Sequence, residues 1–134
     1  MTRRQERENA FIAAFEESFG ANDLEEIISY AAQTEEYALS AYSLDLLKAY
    51  YDHRKTVDEL ISSKLVGWSA QRIARVCLVV LRLAVSEMLY IDEVPDSVAI
   101  NEAVELTKKY ADEDDYQFVN GVLGNISRSR ENAQ

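Results

Sequence analysis

Residues 98–123, VAINEAVELTKKYADEDDYQFVNGVL, decide the fold of this chain. Ile100, Ala103, Val104, Leu106 and Tyr110 keep the spacing that lines apolar side chains along one helical stripe. The acidic run Asp112-Glu113-Asp114-Asp115 interrupts it, and a second helical stripe follows through Phe118, Val119, Val122 and Leu123. Asp114 stands three residues before Gln117, the order of a capping box that satisfies free N–H groups at a helix start. Gly121 lies inside that second helix, where glycine costs about 0.5–1 kcal/mol relative to alanine. A glycine placed there predicts another backbone passing close by.

Upstream, the same periodicity continues. Ser69 is the expected cap of a fifth helix from Ala70 to about Tyr90, with Trp68 packing ahead of it as a hydrophobic staple. Ile73, Val76, Cys77, Val80, Leu81, Ala84, Val85 and Met88 form its stripe, and Leu78, Val79 and Leu83 add apolar surface on the other side. A helix apolar nearly all round belongs at the centre of the molecule. Arg72, Arg75, Arg82 and Glu87 on it are then expected to pair with carboxylates or helix caps of neighbouring elements. Further upstream, Phe11, Phe15 and Phe19 give the first helix one aromatic face, and Gly20 ends it. Asn22 with Glu25 reads as the cap of a short second helix, whose apolar side is Ile27, Ile28 and Ala31. A third is expected from near Thr34 through Ala38, Leu39, Tyr42, Leu46, Leu47 and Tyr50, and a fourth capped by Thr56 with Glu59. Pro95 closes the next connection, Asp96 or Ser97 caps the sixth helix, and the seventh starts near Asp114 and frays into a disordered polar tail over about 128–134. The reading is all-α, one domain over residues 1–134 with seven helices and the fifth at its centre.

Composition narrows the function. The chain has no 18-residue apolar run that would span a membrane, and its N-terminus lacks the apolar block of a secretory signal. Cys77 is the single cysteine, so neither an internal disulfide nor a cysteine-based metal cluster is expected. These features read as a cytoplasmic protein. His53 stands alone in a polar stretch without a nucleophile motif, and no glycine-rich phosphate loop exists, so neither catalysis nor a cofactor is expected. The acidic quartet lacks the alternating ligand spacing of a calcium loop and reads as a turn with a helix cap. Gly121 to Gly124 resembles the GXXG loop of KH domains only superficially, since it lies in a helix with no flanking base. A net charge of −10 repels nucleic acid overall and suits a basic protein partner. The charge is uneven, however, with Arg3, Arg4 and Arg7 set against only Glu6 at the start.

The blocks VAINEAVELTK and FVNGVL resemble the C-terminal signature of the transcription antitermination factor NusB family, V-A-I-N-E-A-[IV]-E-L-[AT]-K and F-V-N-G-[VI]-L. VVLRLAVSEML is similar to that family's [VA]-L-R-[LI]-A-x-[YF]-E-[LM], with Ser86 at the usual aromatic position, and RRQERENAFIAAF matches its arginine-rich start in outline. The resemblance implies two small helical bundles packed around the buried central helix. It also implies that the protein binds the boxA element of single-stranded RNA jointly with the ribosomal protein NusE. The pair would then act on RNA polymerase to suppress termination, notably on ribosomal RNA operons. An isolated NusB-like domain of an RNA methyltransferase is disfavoured, since no methyl-donor-binding region follows before Gln134.

Under that resemblance Arg3, Arg4 and Arg7, on nearly one helix face, are the expected phosphate contacts, where charge alone reads them as a solvated terminus. Lys108, Lys109, Asn120 and Arg128 form a second expected RNA patch, although the lysines equally suit a helix C-terminus. Phe118 offers a face for stacking on an unpaired base, against the commoner role of a core phenylalanine. Phe15 is the residue expected to face NusE, whereas its periodicity alone points to the core. Glu6 and Ile12 depart from the family pattern, and Glu6 is placed to compete with phosphate for Arg3 and Arg7. The competing reading is a helical protein-interaction adaptor that does not bind RNA. Self-association into a homodimer that hides the arginines stays open.

Overall fold

A computed structural model describes residues 1–33, 39–65 and 73–132. Those residues form seven α-helices: α1 (Arg3–Ser18), α2 (Leu24–Gln33), α3 (Ala41–Tyr51), α4 (Arg54–Ser63), α5 (Arg75–Tyr90), α6 (Asp96–Tyr110) and α7 (Asp115–Asn132). The all-α architecture read from the sequence is the observed one. Thr34, Ala38, Trp68, Ser69, Ala70 and Arg72 lie outside the described residues.

Helix α5 occupies the centre, as its all-round apolar surface requires. It packs against α1, α3, α4, α6 and α7. Ten of its residues, from Cys77 to Met88, are buried, and Leu81 and Val85 have no exposed surface at all. Helices α1–α3 form one group around it and α6 and α7 pack on each other as a second, while α4 touches both α3 and α7. The two groups meet in one continuous core that runs from Phe11 and Ala14 through Leu47 and Val80 to Val119 and Ile126. Burial pushes the Cys77 thiol up to about 12, with Asp115 adding to the shift, so the sulfur stays a neutral core group.

Several helix starts differ from the sequence reading. Thr2 caps α1: its Oγ1 accepts from the Gln5 N–H at 3.1 Å, and Gln5 Oε1 accepts from the Thr2 N–H at 2.9 Å. The cap of α2 is Asp23 rather than Asn22, with Oδ1 accepting from the Glu26 N–H at 2.8 Å. Ser40 caps α3 by accepting from the Ser43 N–H at 3.1 Å, so Leu39 lies outside that helix. Thr56 is already inside α4, which begins after His53 without a side-chain cap. His53 instead stacks on Tyr90 at 3.7 Å and places Nδ1 2.9 Å from the Ala49 carbonyl. Helix α5 starts at Arg75, leaving Ile73 and Ala74 before it. Helix α6 follows Pro95 without a side-chain cap, which leaves Asp96 free to hold Arg130 and Ser127 of α7.

Two readings of α7 are corrected. It does not fray from about residue 128 but continues to Asn132, because Arg130 is held by Asp96 at 3.0 Å and Ser129 accepts from Lys64 at 2.9 Å. Nor does a backbone pass near Gly121. A Cβ built there meets no atom within 4 Å, and the residue is exposed. At the turn before α7 the carboxylate that bonds is that of Asp115, which accepts from the Asp112 N–H at 3.2 Å, while Asp114 contributes its backbone carbonyl to the Gln117 N–H. Among the described residues Gly20, at φ +78°, is the glycine that uses left-handed freedom, and it ends α1 as its position predicts.

Candidate nucleic-acid interface

At 100° per residue Arg3, Arg4 and Arg7 leave α1 within one face about 100° wide, yet their side chains part company. Each meets a different helix. Arg3 lies over the ring of Tyr42 on α3, with Cζ 3.9 Å from the ring centroid and Nη1 3.4 Å from Glu6 Oε1. Arg4 reaches α6, where its Nε and Nη2 grip the two carboxylate oxygens of Glu102 at 2.9 and 3.1 Å. Arg7 turns inward and is 7% exposed, with Nε 2.8 and 3.1 Å from the carboxylate of Glu87 on α5.

The burial of Arg7 corrects the sequence reading of one basic face. A guanidinium held by a carboxylate that is itself 2% exposed is a structural cation, withdrawn from any polyanion outside. Burial opposes its charge, but the hydrogen bond and the charge of Glu87 more than offset that, so the group stays ionised. Tyr42 completes the arrangement by donating its hydroxyl to Glu87. The same helix joint corrects the role of Glu6. Its carboxylate accepts from the Ser40 hydroxyl and its carbonyl from Ser43 Oγ at 2.7 Å, which ties α1 to the start of α3. Glu6 therefore reaches Arg3 but does not contend for Arg7. The expected pairing of the central-helix charges is observed: Glu87 with Arg7, Arg82 with Asp58 at 3.1 Å, and Arg75 with the Ser18 carbonyl at the end of α1.

Arg4 does not stand alone. Helix α6 runs beside α1 so that its last turn brings Lys108 and Lys109 to the same open groove, a space of about 430 Å³ between the two helices. Lys109 Nζ lies 2.7 and 3.0 Å from the Glu8 carboxylate, which also accepts from the Tyr110 hydroxyl at 3.0 Å. Glu8 holds the Lys109 ammonium above its ordinary pKa, chiefly by that hydrogen bond. Lys108 lies 3.7 Å from Glu105 and 4.9 Å from the Tyr116 ring. Three bases and three acids thus alternate along one groove, and all three bases are well exposed.

The other sequence-derived candidates separate from this groove. Asn120 is exposed on α7 but does not line it. Arg128 is two turns, about 12 Å, further along α7, with Nη1 3.2 Å from the Cβ position of Gly124. Phe118 packs against the core, as its periodicity alone predicts. Phe15 does the same, stacked 5.8 Å from Phe11 and 5.0 Å edge-on from Phe19. The aromatic that reaches solvent on that face is Phe19, 59% exposed. Glu8, Glu102 and Tyr42 were missed by sequence reasoning, because their partners lie on other helices.

A profile of the NusB family matches residues 4–128. The chain belongs to the NusB family. Transcription antitermination protein NusB of Oceanobacillus iheyensis is 38% identical, the match covering 94% of this chain and 98% of that one. That of Enterococcus faecalis is 41% identical over 96% and 90% of the two chains. Among solved structures, NusB of T. maritima superposes with a TM-score of 0.84 at 33% identity, covering 96% of this chain and 92% of that one. A structure of antitermination factors NusB and NusE in complex with double-stranded RNA matches with a TM-score of 0.84 at 25% identity, covering 95% and 96%. Fold and family agree with the motifs in VAINEAVELTK and FVNGVL.

Proposed function

We propose that this protein is a transcription antitermination factor that binds boxA-type single-stranded RNA together with NusE, the complex acting on RNA polymerase and notably on ribosomal RNA operons. The observation that carries the RNA role is the meeting of Arg4 from α1 with Lys108 and Lys109 from α6 along one open groove. Arg3 on Tyr42 extends the basic edge towards α3. Guanidinium and ammonium groups so arranged suit a phosphate backbone, the guanidinium by its two-pronged geometry and the lysines as point charges. The remaining surface is acidic, which complements a basic ribosomal protein and steers its approach. Family membership supplies the same reading from the other direction.

Titration of boxA RNA with and without NusE tests it. The protein alone is expected to bind weakly and NusE to tighten binding substantially. With four available bases, log affinity falls with log salt at a slope no steeper than about −3, taking about −0.7 for each phosphate neutralised on a single strand. Absence of RNA binding in the presence of NusE would leave the protein-binding adaptor. That second reading is favoured by one observation, that every base of the groove already has an acid beside it.

A further inference from the structure

We infer that Glu8 and Glu102 stand in for two RNA phosphates, holding the groove between α1 and α6 neutral until RNA draws Arg4 and Lys109 away from them. This rests on the RNA-binding reading and adds what sets its strength. A carboxylate presents two oxygens to a guanidinium much as a phosphate does, and Glu102 takes both prongs of Arg4, at 2.9 and 3.1 Å. Glu8 likewise places both oxygens within 3.0 Å of Lys109 Nζ. The geometry also shows which partner can leave. The Glu102 and Glu8 side chains are 16% and 24% exposed, on the floor of the groove, whereas Arg4 and Lys109 are 60% and 58% exposed at its rim. Long basic side chains can swing outward to a polyanion while the short acids stay behind.

The acids then remain bare beside bound phosphate. They repel it and take up cations from solution, which offsets the counterions that RNA releases. Binding by the natural protein is therefore weak alone and less salt-dependent than its exposed bases imply. A protein partner that covers Glu8 and Glu102 with its own cations would relieve that repulsion and so couple the two ligands.

The double variant Glu8→Gln/Glu102→Gln keeps the shape of both side chains and the oxygen that accepts from the base, but removes two charges. Titrated with boxA RNA in the absence of NusE, it should bind about five- to tenfold more tightly at low salt, since two exposed ion pairs no longer compete. Its log–log salt slope should steepen by about 1.4, two phosphates at 0.7 each. Glu25→Gln/Glu26→Gln on α2, outside the groove, changes net charge equally and should alter affinity less than twofold. Equal effects of the two double variants, or no effect of either on measurable binding, would overturn the inference while leaving RNA binding intact. Loss of RNA binding in every protein, with and without NusE, would instead remove the RNA reading itself. Thermal melts of both variants within a few degrees of the parent exclude unfolding as the source of any difference.

Discussion

Glu87→Ala is expected to destabilise the protein by about 3–5 kcal/mol, because it leaves the Arg7 guanidinium buried without a counter-ion. Arg7 is 7% and Glu87 2% exposed, and their hydrogen bonds of 2.8 and 3.1 Å join α1 to the last turn of α5. The loss also frees the Tyr42 hydroxyl, which donates to the same carboxylate. Water cannot easily replace the carboxylate at this depth, so the penalty is that of an isolated charge rather than of one weak ion pair. Chemical denaturation of the variant measures the cost. The double variant Arg7→Met/Glu87→Leu should recover most of it, because apolar groups of similar volume remove the desolvation cost together with the attraction. A cost below about 1 kcal/mol for Glu87→Ala would show that the pair is solvated and that Arg7 is after all available at the surface.

Leu81→Ala is the second large effect, about 2–5 kcal/mol from a cavity at the centre of α5. Leu81 has no exposed surface, and it belongs to the continuous core shared by both helix groups. Helices on every side limit how far the site can collapse, which puts the cost in the upper part of that range. A thermal midpoint unchanged by the substitution would contradict the central position of α5.

Much of this fold is legible in the sequence. The stripes through Ile100 to Tyr110 and Phe118 to Leu123 became α6 and α7, and the all-round apolar run to Met88 became the buried α5. Helix starts were less legible, since Thr56 and Asn22 carry the right side chains for caps while Asp23 and the chain turn at His53 set the actual boundaries. Gly121 carried a helix-propensity signal without its structural reason, since it faces open space.

The site was half legible. Arg4, Lys108 and Lys109 were identified, but nothing local announces that α1 and α6 run side by side. Arg4 and Glu8 are four apart and would pair along one helix by spacing alone. The structure instead crosses them over, with Arg4 going to Glu102 and Lys109 to Glu8. Arg7 looked like its two neighbours until packing buried it against a residue eighty positions away. Charge type can be read from sequence, whereas which charges are already spent on one another depends on helix packing.

The proposed RNA contact is the basic edge built from α1 and α6. Arg3→Ala/Arg4→Ala/Lys109→Ala tests it in a boxA titration with NusE present. The variant strips three exposed bases and leaves Glu8 and Glu102 bare, so RNA affinity should fall by at least about tenfold, with a flattened salt response. Binding of NusE without RNA, and the thermal midpoint, should stay close to those of the parent protein. An RNA affinity equal to that of the parent would contradict the account and place the RNA elsewhere on the molecule.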